Sequence, residues 1–557
     1  MLPAALLATT ARADTLVDHV DGFTLDSAGR VERLTGLLIG NDGRIAQVLR
    51  QGDKRPARVD YLLDGQGRVL MPGLVDAHAH VMRIGFAALT LDLSPARTLA
   101  EAQGRIAVYA AAHPDRAWVL GRGWDPAVLG QPTAAALDQV VKDRPVWLES
   151  ADAHQGWANS AALAAAGITA TTKDPAGGRI LRAPGPGKAP PRPTGLLIEA
   201  AMDMVARAAP APRPEDRDLA LAAAQDALLA QGITAVTDMG TGIEDWQAYR
   251  RAGDLGALRV RVLAYAAGTD AMSLIAGPGP TPWLYDDRLR LGGVALVADG
   301  ALATRGAWLK APYADAPTPT GATQVGLPRS SETQLRNLMS RAGIDRFQVA
   351  LEAHGAQAVA AGITAFAELA QTYKGDRRWR IDGAEVVDPA DLAKLGSSGI
   401  VVAVQPGALA PALAAARLGE ARLASVQPWA SLARAGVPLA FGSGASGADR
   451  LAPWANLAIA TTRQDAAGQP FGGWQPQERL TREAALAAAT AGAAWAAFAE
   501  GRFGRLEVGQ RADFLLLDRD PLLASPGELR ETKVLETWVG GRKAWAAASS
   551  PPASGGR

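Results

Sequence analysis

The chain has 557 residues, with 57 basic against 56 acidic side chains, 48% hydrophobic residues and no cysteine. Such a length exceeds one average domain, and charge this balanced and interspersed gives no sign of the basic face that nucleic acid or an anionic membrane requires, so a neutral or mixed small molecule is the expected ligand. Without cysteine there are no disulfides, thiolate ligands or thiol nucleophile, so a metal would have to be held by imidazole, carboxylate or a modified lysine.

In chain order, residues 1–13 carry a short apolar run and then Ala11-Arg12-Ala13, the small-residue pattern that precedes signal-peptidase cleavage. This predicts a signal-peptide remnant and a periplasmic or secreted protein. With no basic segment ahead of the run, the alternative is a chance pattern in an Ala-rich, cytoplasmic chain. Residues 14–70 read as short β-type runs, with Asn41-Asp42-Gly43 as a hairpin signal. The same texture returns over residues 500–546, and since each end is too small to bury a core alone, the two together predict one sheet domain.

Residues 71–499 alternate apolar runs with Ala-rich helical stretches. Eight runs stand out, GLVDAHAH, GITAVTDMG, LRVRVLAYA, GGVALVADG, FQVALEAHG, WRIDGAEVV, IVVAVQP and VPLAFGSG. Eight parallel strands each followed by a helix predict a TIM (β/α)8 barrel, with functional groups at the C-terminal strand ends. The stretch from about 87 to 218 is too long for one crossover and reads as an insertion beside the barrel mouth. Residues 547–557 are a disordered tail by composition, and no run reaches the ~18 apolar residues of a membrane span. Oligomeric state is not legible.

The first run ends in His78-Ala79-His80, and two imidazoles on one side of a strand make a metal-binding geometry, the bland alternative being two packed histidines. Of the six histidines, His19 and His113 fall in settings suited to solvated or capping roles, which leaves His78, His80, His154 and His354. Glu352 and His354 lie two apart on the fifth run and share a strand face.

MPGLVDAHAH, GRGWD (Gly121 to Asp125), PTAAALD, ADAHQGWANSAAL, PTGLLIEA and ATRGAW follow one another in an order that resembles the amidohydrolase superfamily, in the branch that includes N-substituted formamide deformylases. The resemblance runs from about Asp14 to Trp545. It implies a TIM barrel beside a β-sandwich built from both chain ends, and hydrolysis of non-peptide C–N bonds in a small molecule. It also implies a metal centre completed by a lysine, two further histidines and an aspartate. At those positions this chain has Ala295, Glu352, Gly383 preceded by Asp382, and Gly444.

A bridged binuclear centre is therefore not expected. The expected site is at most mononuclear, one divalent metal, zinc first, on His78, His80, Glu352 and His354, or no metal. A His2Glu set is a known zinc arrangement, and the alternative for Glu352 is an interior carboxylate satisfied by arginine or water. Trp124, His154, Asn159 and Arg305 are the candidate substrate-side residues, the alternative being that they fix the insertion, with Asn159 as a helix N-cap. Three functional readings compete: a hydrolase with a reduced metal site, a catalytically inactive relative that keeps the pocket for binding or structure, and a metal-independent enzyme using His154 or Glu352 as acid or base.

Overall fold

The computed structural model describes residues 14–185, 187, 189–316, 324–465 and 467–548. The expected leader, residues 1–13, and most of the expected tail lie outside the described residues.

Eight parallel strands form one sheet in chain order: Leu74–Ala79, Ile233–Thr241, Arg261–Ala267, Leu289–Val297, Gln348–Ala353, Arg380–Gly383, Val401–Val404 and Leu439–Phe441. The sheet closes on itself where the His80 N–H donates to Ala445 O (2.9 Å) and the Gly444 N–H to His78 O (2.8 Å), which makes a TIM barrel. Val236, Val262, Val349, Ile381 and Val402 pack outward against the helices. Val75, Leu263, Val401 and Ala440 meet the helix Ala491–Ala496 and Phe503, which close the N-terminal end of the barrel. Strands buried on both faces read as continuous apolar runs, and this is why all eight are visible in the sequence.

Helix Val81–Leu89 follows the first strand and packs on helix Pro214–Ala230, which precedes the second. Between them lies the insertion, so the expected bounds of about 87 and 218 run slightly into both helices. It has its own six-stranded sheet and two apolar cores, one around Trp124, Leu148 and Trp157, the other around Trp147, Leu163 and Leu197.

The β-sandwich draws on both chain ends. One sheet, of four strands, is N-terminal; the other orders Arg542–Ala546, Val534–Val539, Phe514–Leu517, Val69–Pro72, Asp21–Leu25 and Val31–Leu34. Its centre is an antiparallel pair from opposite ends of the chain, with Leu515 opposite Met71 and Leu516 opposite Leu70. Val17, Leu37, Ile39, Leu70, Phe514 and Leu516 fill the space between the sheets.

Truncation after Phe503 removes one of the two partner strands of Val69–Pro72, together with Leu506, Ala512, Phe514 and Leu516 of this core. We expect hydrogen exchange at the Leu70 and Met71 amides to accelerate toward the unfolded rate in the truncated chain. Unchanged protection there would show that the N-terminal strands hold without their C-terminal partners.

Candidate active site

The site begins with how the first strand is held. Asp76 Oδ1 accepts both the His78 and the Ser443 backbone N–H at 3.0 Å, tying the first strand to the segment after the eighth. Asp238, at the second strand, accepts the Val81 N–H (2.8 Å) and the hydroxyls of Thr241 (2.6 Å) and Tyr249 (2.8 Å), which fixes the residue after His80. His80 then has its Nδ1 at 2.7 Å from Met239 O, so Nδ1 carries the proton and donates, leaving Nε2 as a lone pair. Burial, with the charges of His78 and Arg83, pushes its pKa down to about 3, and the ring is neutral at physiological pH.

His78 makes a different contact. Its Nδ1 lies 2.7 Å from Asp382 Oδ2 on the sixth strand, across the lumen. Asp382 is gripped in turn by Arg380, with Nε on Oδ1 at 2.7 Å and Nη2 on Oδ2 at 2.8 Å. Arg380 Nη2 also donates to Ala77 O (2.5 Å), and the guanidinium lies 5.3 Å from the centre of the Tyr265 ring. Arg380 and Asp382 are 0% and 1% exposed, so a cation and its carboxylate span the barrel interior out of reach of water. Burial opposes the ionised form of Asp382, but Arg380 and His78 outweigh it and hold the carboxyl below its ordinary range.

Nearer the mouth, His354 sits between two carboxylates, Glu352 at 3.0 Å from Nε2 and Glu385 at 3.3 Å from Nδ1. Its backbone N–H and that of Gly355 are accepted by Asp299, which burial pushes up to about 7. His154, from the insertion, faces His354 with ring centres 6.0 Å apart, and its Nδ1 is 3.1 Å from Glu199. Glu199 is fixed by the Thr304 hydroxyl (2.7 Å) and the Ala301 N–H (3.0 Å). Burial disfavours both imidazolium forms, yet Glu199 lifts His154 to about 9, and Glu385 with Glu352 lifts His354 well above the usual histidine range. The mouth thus holds two imidazolium cations, each matched to carboxylates that stay ionised.

These groups lie at the edge of a cavity of about 790 Å³ between barrel and insertion, lined by His154, His354, Glu385, Gln405, Gln427 and Asn456 among others. That volume suits a drug-sized molecule. Among the described residues no protein hydrogen bond engages His154 Nε2, so its N–H is available to a ligand.

The sequence-expected residues divide accordingly. His78, His80, Glu352, His354 and His154 come together toward the barrel mouth; of the eight candidates His154 and His354 line the cavity. Trp124 is fully buried in the insertion core, its indole N–H donating to Leu148 O at 3.1 Å. Asn159 caps helix Ser160–Ala165: Oδ1 accepts from Ala162 and Val146 at 2.9 Å, and Nδ2 donates to Arg144 O. Arg305 forms an ion pair with Asp315 at 2.8 Å. For Trp124 and Asn159 the structural alternative describes the side chain, because their polar groups are hydrogen-bonded to the backbone; Arg305 gives Nε and Nη2 to Asp315, outside the insertion. Arg380, Glu385 and Glu199 were missed, although each is a charge at the edge of an apolar run, in WRIDGAEVV and LLIEA.

A sequence profile described as Amidohydrolase family matches residues 62–544. The chain belongs to the amidohydrolase family. Among curated relatives, it is 30% identical to protein LONG AFTER FAR-RED 3 of Arabidopsis thaliana, over 95% of this chain and 91% of that one. It is 29% identical to N-substituted formamide deformylase of Arthrobacter pascens, over 96% and 98%. A crystal structure of an uncharacterized metal-dependent hydrolase from Pyrococcus furiosus superposes with a TM-score of 0.70 at 25% identity, covering 91% of this chain and all of that one.

The donor set of this amidohydrolase does not fit the metal centre its sequence resemblance implies. Ala295, at the lysine position, is packed with Met239, Tyr265 and Ala350. Gly383 and Gly444 have φ of +95° and +64°, and a Cβ would come 2.9 Å from His354 Nδ1 and 2.7 Å from Gln405 Oε1. Side chains there would be strained as well as absent. Among the described residues no three His, Asp or Glu side chains are grouped so as to hold a metal ion. Of the expected set, His78 has its Nδ1 on Asp382 and Glu352 is paired with His354.

Two outcomes follow for stability. Asp382→Asn leaves Arg380 buried without its counter-charge and should cost about 3–5 kcal/mol in denaturant unfolding; a loss below about 1 kcal/mol would show that the guanidinium is met some other way. The His154–Glu199 pair has a pH signature. The folded pKa of His154 is raised from 6.5 to about 9, so its contribution is complete below pH 6.5 and disappears as pH rises through about 9. The lowered pKa of Glu199 works oppositely, its contribution being lost as pH falls below 4.5. His154→Gln should flatten the alkaline limb of the stability profile, measured as urea midpoint against pH.

Proposed function

We propose that this amidohydrolase cleaves a C–N bond of a small amide-type molecule in the cleft between barrel and insertion, by acid–base and electrostatic catalysis from His154 and Glu385 and not at a two-metal centre. The observation that carries the reading is the unengaged Nε2–H of a protonated His154 at the edge of a cavity that also exposes a carboxylate. An imidazolium donor aimed at the carbonyl oxygen stabilises the negative charge that develops there when water adds. Glu385 takes the proton of that water and delivers it to the departing nitrogen, so a carboxylic acid and an amine leave. Burial opposes the Glu385 carboxylate, but His354 holds its pKa below the ordinary range, which makes it a weak base. Turnover of ordinary amides and formamides is therefore expected to be slow, and activated amides are the better substrates.

A second reading, a binding protein without turnover, is favoured by one feature: the carboxylates at the mouth, Glu199, Glu352 and Glu385, are all held in pairs with imidazolium. The experiment is elemental analysis of protein purified without chelator, with turnover of N-substituted formamides and activated anilides measured with and without chelator. The first reading expects metal well below one equivalent, slow chelator-resistant turnover, and a loss of about 10²–10³ in kcat for His154→Gln. Binding of these compounds without any turnover supports the second. One or more equivalents of metal, with turnover abolished by chelation or by His78→Ala, overturns both.

A further inference from the structure

A second cavity, of about 630 Å³, lies at the seam between the sandwich and the barrel. Arg261 opens the third barrel strand and Arg288 immediately precedes the fourth, so both line this cavity at the barrel face opposite the cleft. The other walls come from the loops around Gly43 and Gly540 in the sandwich.

The charges here do not balance. Arg261 is spent on Asp513, at 2.6 and 2.7 Å. Arg511, Arg44 and Arg502 all converge on Asp287. Asp286 pairs with Arg511 at 3.6 Å and Asp42 with Arg44 at 3.8 Å. Six arginines therefore meet four aspartates, and the excess falls on Arg288 and Arg542, neither of which has a carboxylate within 4.0 Å among the described residues. Arg288 donates only to carbonyls, Arg259 O at 2.7 Å and Val539 O at 3.5 Å. Burial first, then the charges of Arg261 and Arg542, depress its pKa to about 10 against the opposing pull of Asp513 and Asp286.

We infer that this seam cavity is a binding site for a phosphate group, free or on a small organic ester, gripped by Arg288 and Arg542. Two guanidinium forks match the three terminal oxygens of a phosphate better than a single carboxylate, and a dianion would cancel the local excess of two positive charges. The cavity is larger than inorganic phosphate needs, so an esterified phosphate has room. The site is independent of the cleft chemistry and stands or falls without it.

The test is calorimetric titration of the full chain with inorganic phosphate and, separately, adenosine monophosphate, at constant ionic strength, with succinate as the dicarboxylate control. Saturable binding of a phosphate probe, tighter than succinate, is expected. Arg542→Gln and Arg288→Gln should each weaken it about tenfold or more. Arg542 is exposed, so its variant keeps the test valid if Arg288→Gln fails to fold. Stronger binding of the ester than of inorganic phosphate identifies the ester as the ligand, and the reverse identifies the free ion. No saturable heat with either probe, equal binding of succinate, or undiminished binding in Arg542→Gln overturns the proposal.

Discussion

Arg380 carries a permanent charge at zero exposure in the barrel lumen, and the rest of the site is arranged around meeting that charge. A buried guanidinium without a counter-ion would be strongly destabilising, so Asp382 must stay ionised beside it. Once Asp382 is committed, it also takes the ring of His78, and the strand that carries the two histidines is anchored to the opposite wall by a hydrogen bond. The lumen is thereby filled by an organic cation with hydrogen-bonded partners.

The mouth obeys the same rule with different residues. His354 is surrounded by acceptors, so it is stable as a cation, and its charge keeps Glu352 and Glu385 ionised in return. His154 repeats the pairing with Glu199. Five ionised groups near one cavity are tolerable because each has an opposite charge within 3.3 Å. Under the proposed mechanism the mouth offers donors for a developing oxyanion and carboxylates whose pKa is held low, which sets the expected slow turnover.

The barrel and the sandwich are joined through buried polar contacts as well as apolar ones. Arg261 reaches from the third barrel strand to Asp513 at the edge of the mixed sheet, and Gly540 donates to the same carboxylate. The surplus of arginine at this seam exceeds what the union of the two parts requires. Fold alone does not determine activity, and in this family member the barrel is intact while Ala295, Gly383 and Gly444 stand where the family resemblance implies a lysine, a histidine and an aspartate.

By itself the sequence determined the architecture and the departures from the family pattern. Strand runs buried on both faces, the Asn41-Asp42-Gly43 hairpin and the β-type ends are local signals written in adjacent residues, and the identities of Ala295, Gly383 and Gly444 need no coordinates to read. His154 stands out as one of six histidines inside an otherwise intact motif, and the structure places it on the cavity wall. What the tertiary structure decided is who meets whom. His78 and Asp382 are 304 positions apart on strands that are not neighbours in the sheet, so no periodicity could pair them. Glu352 lies two residues from a histidine that captures it, and Asn159 and Trp124 look like pocket residues until their hydrogen bonds are found to be spent on the backbone. The physical reason is that a side chain's role follows from which partner satisfies its polar atoms once water is excluded, and only closure of the barrel brings those partners within reach.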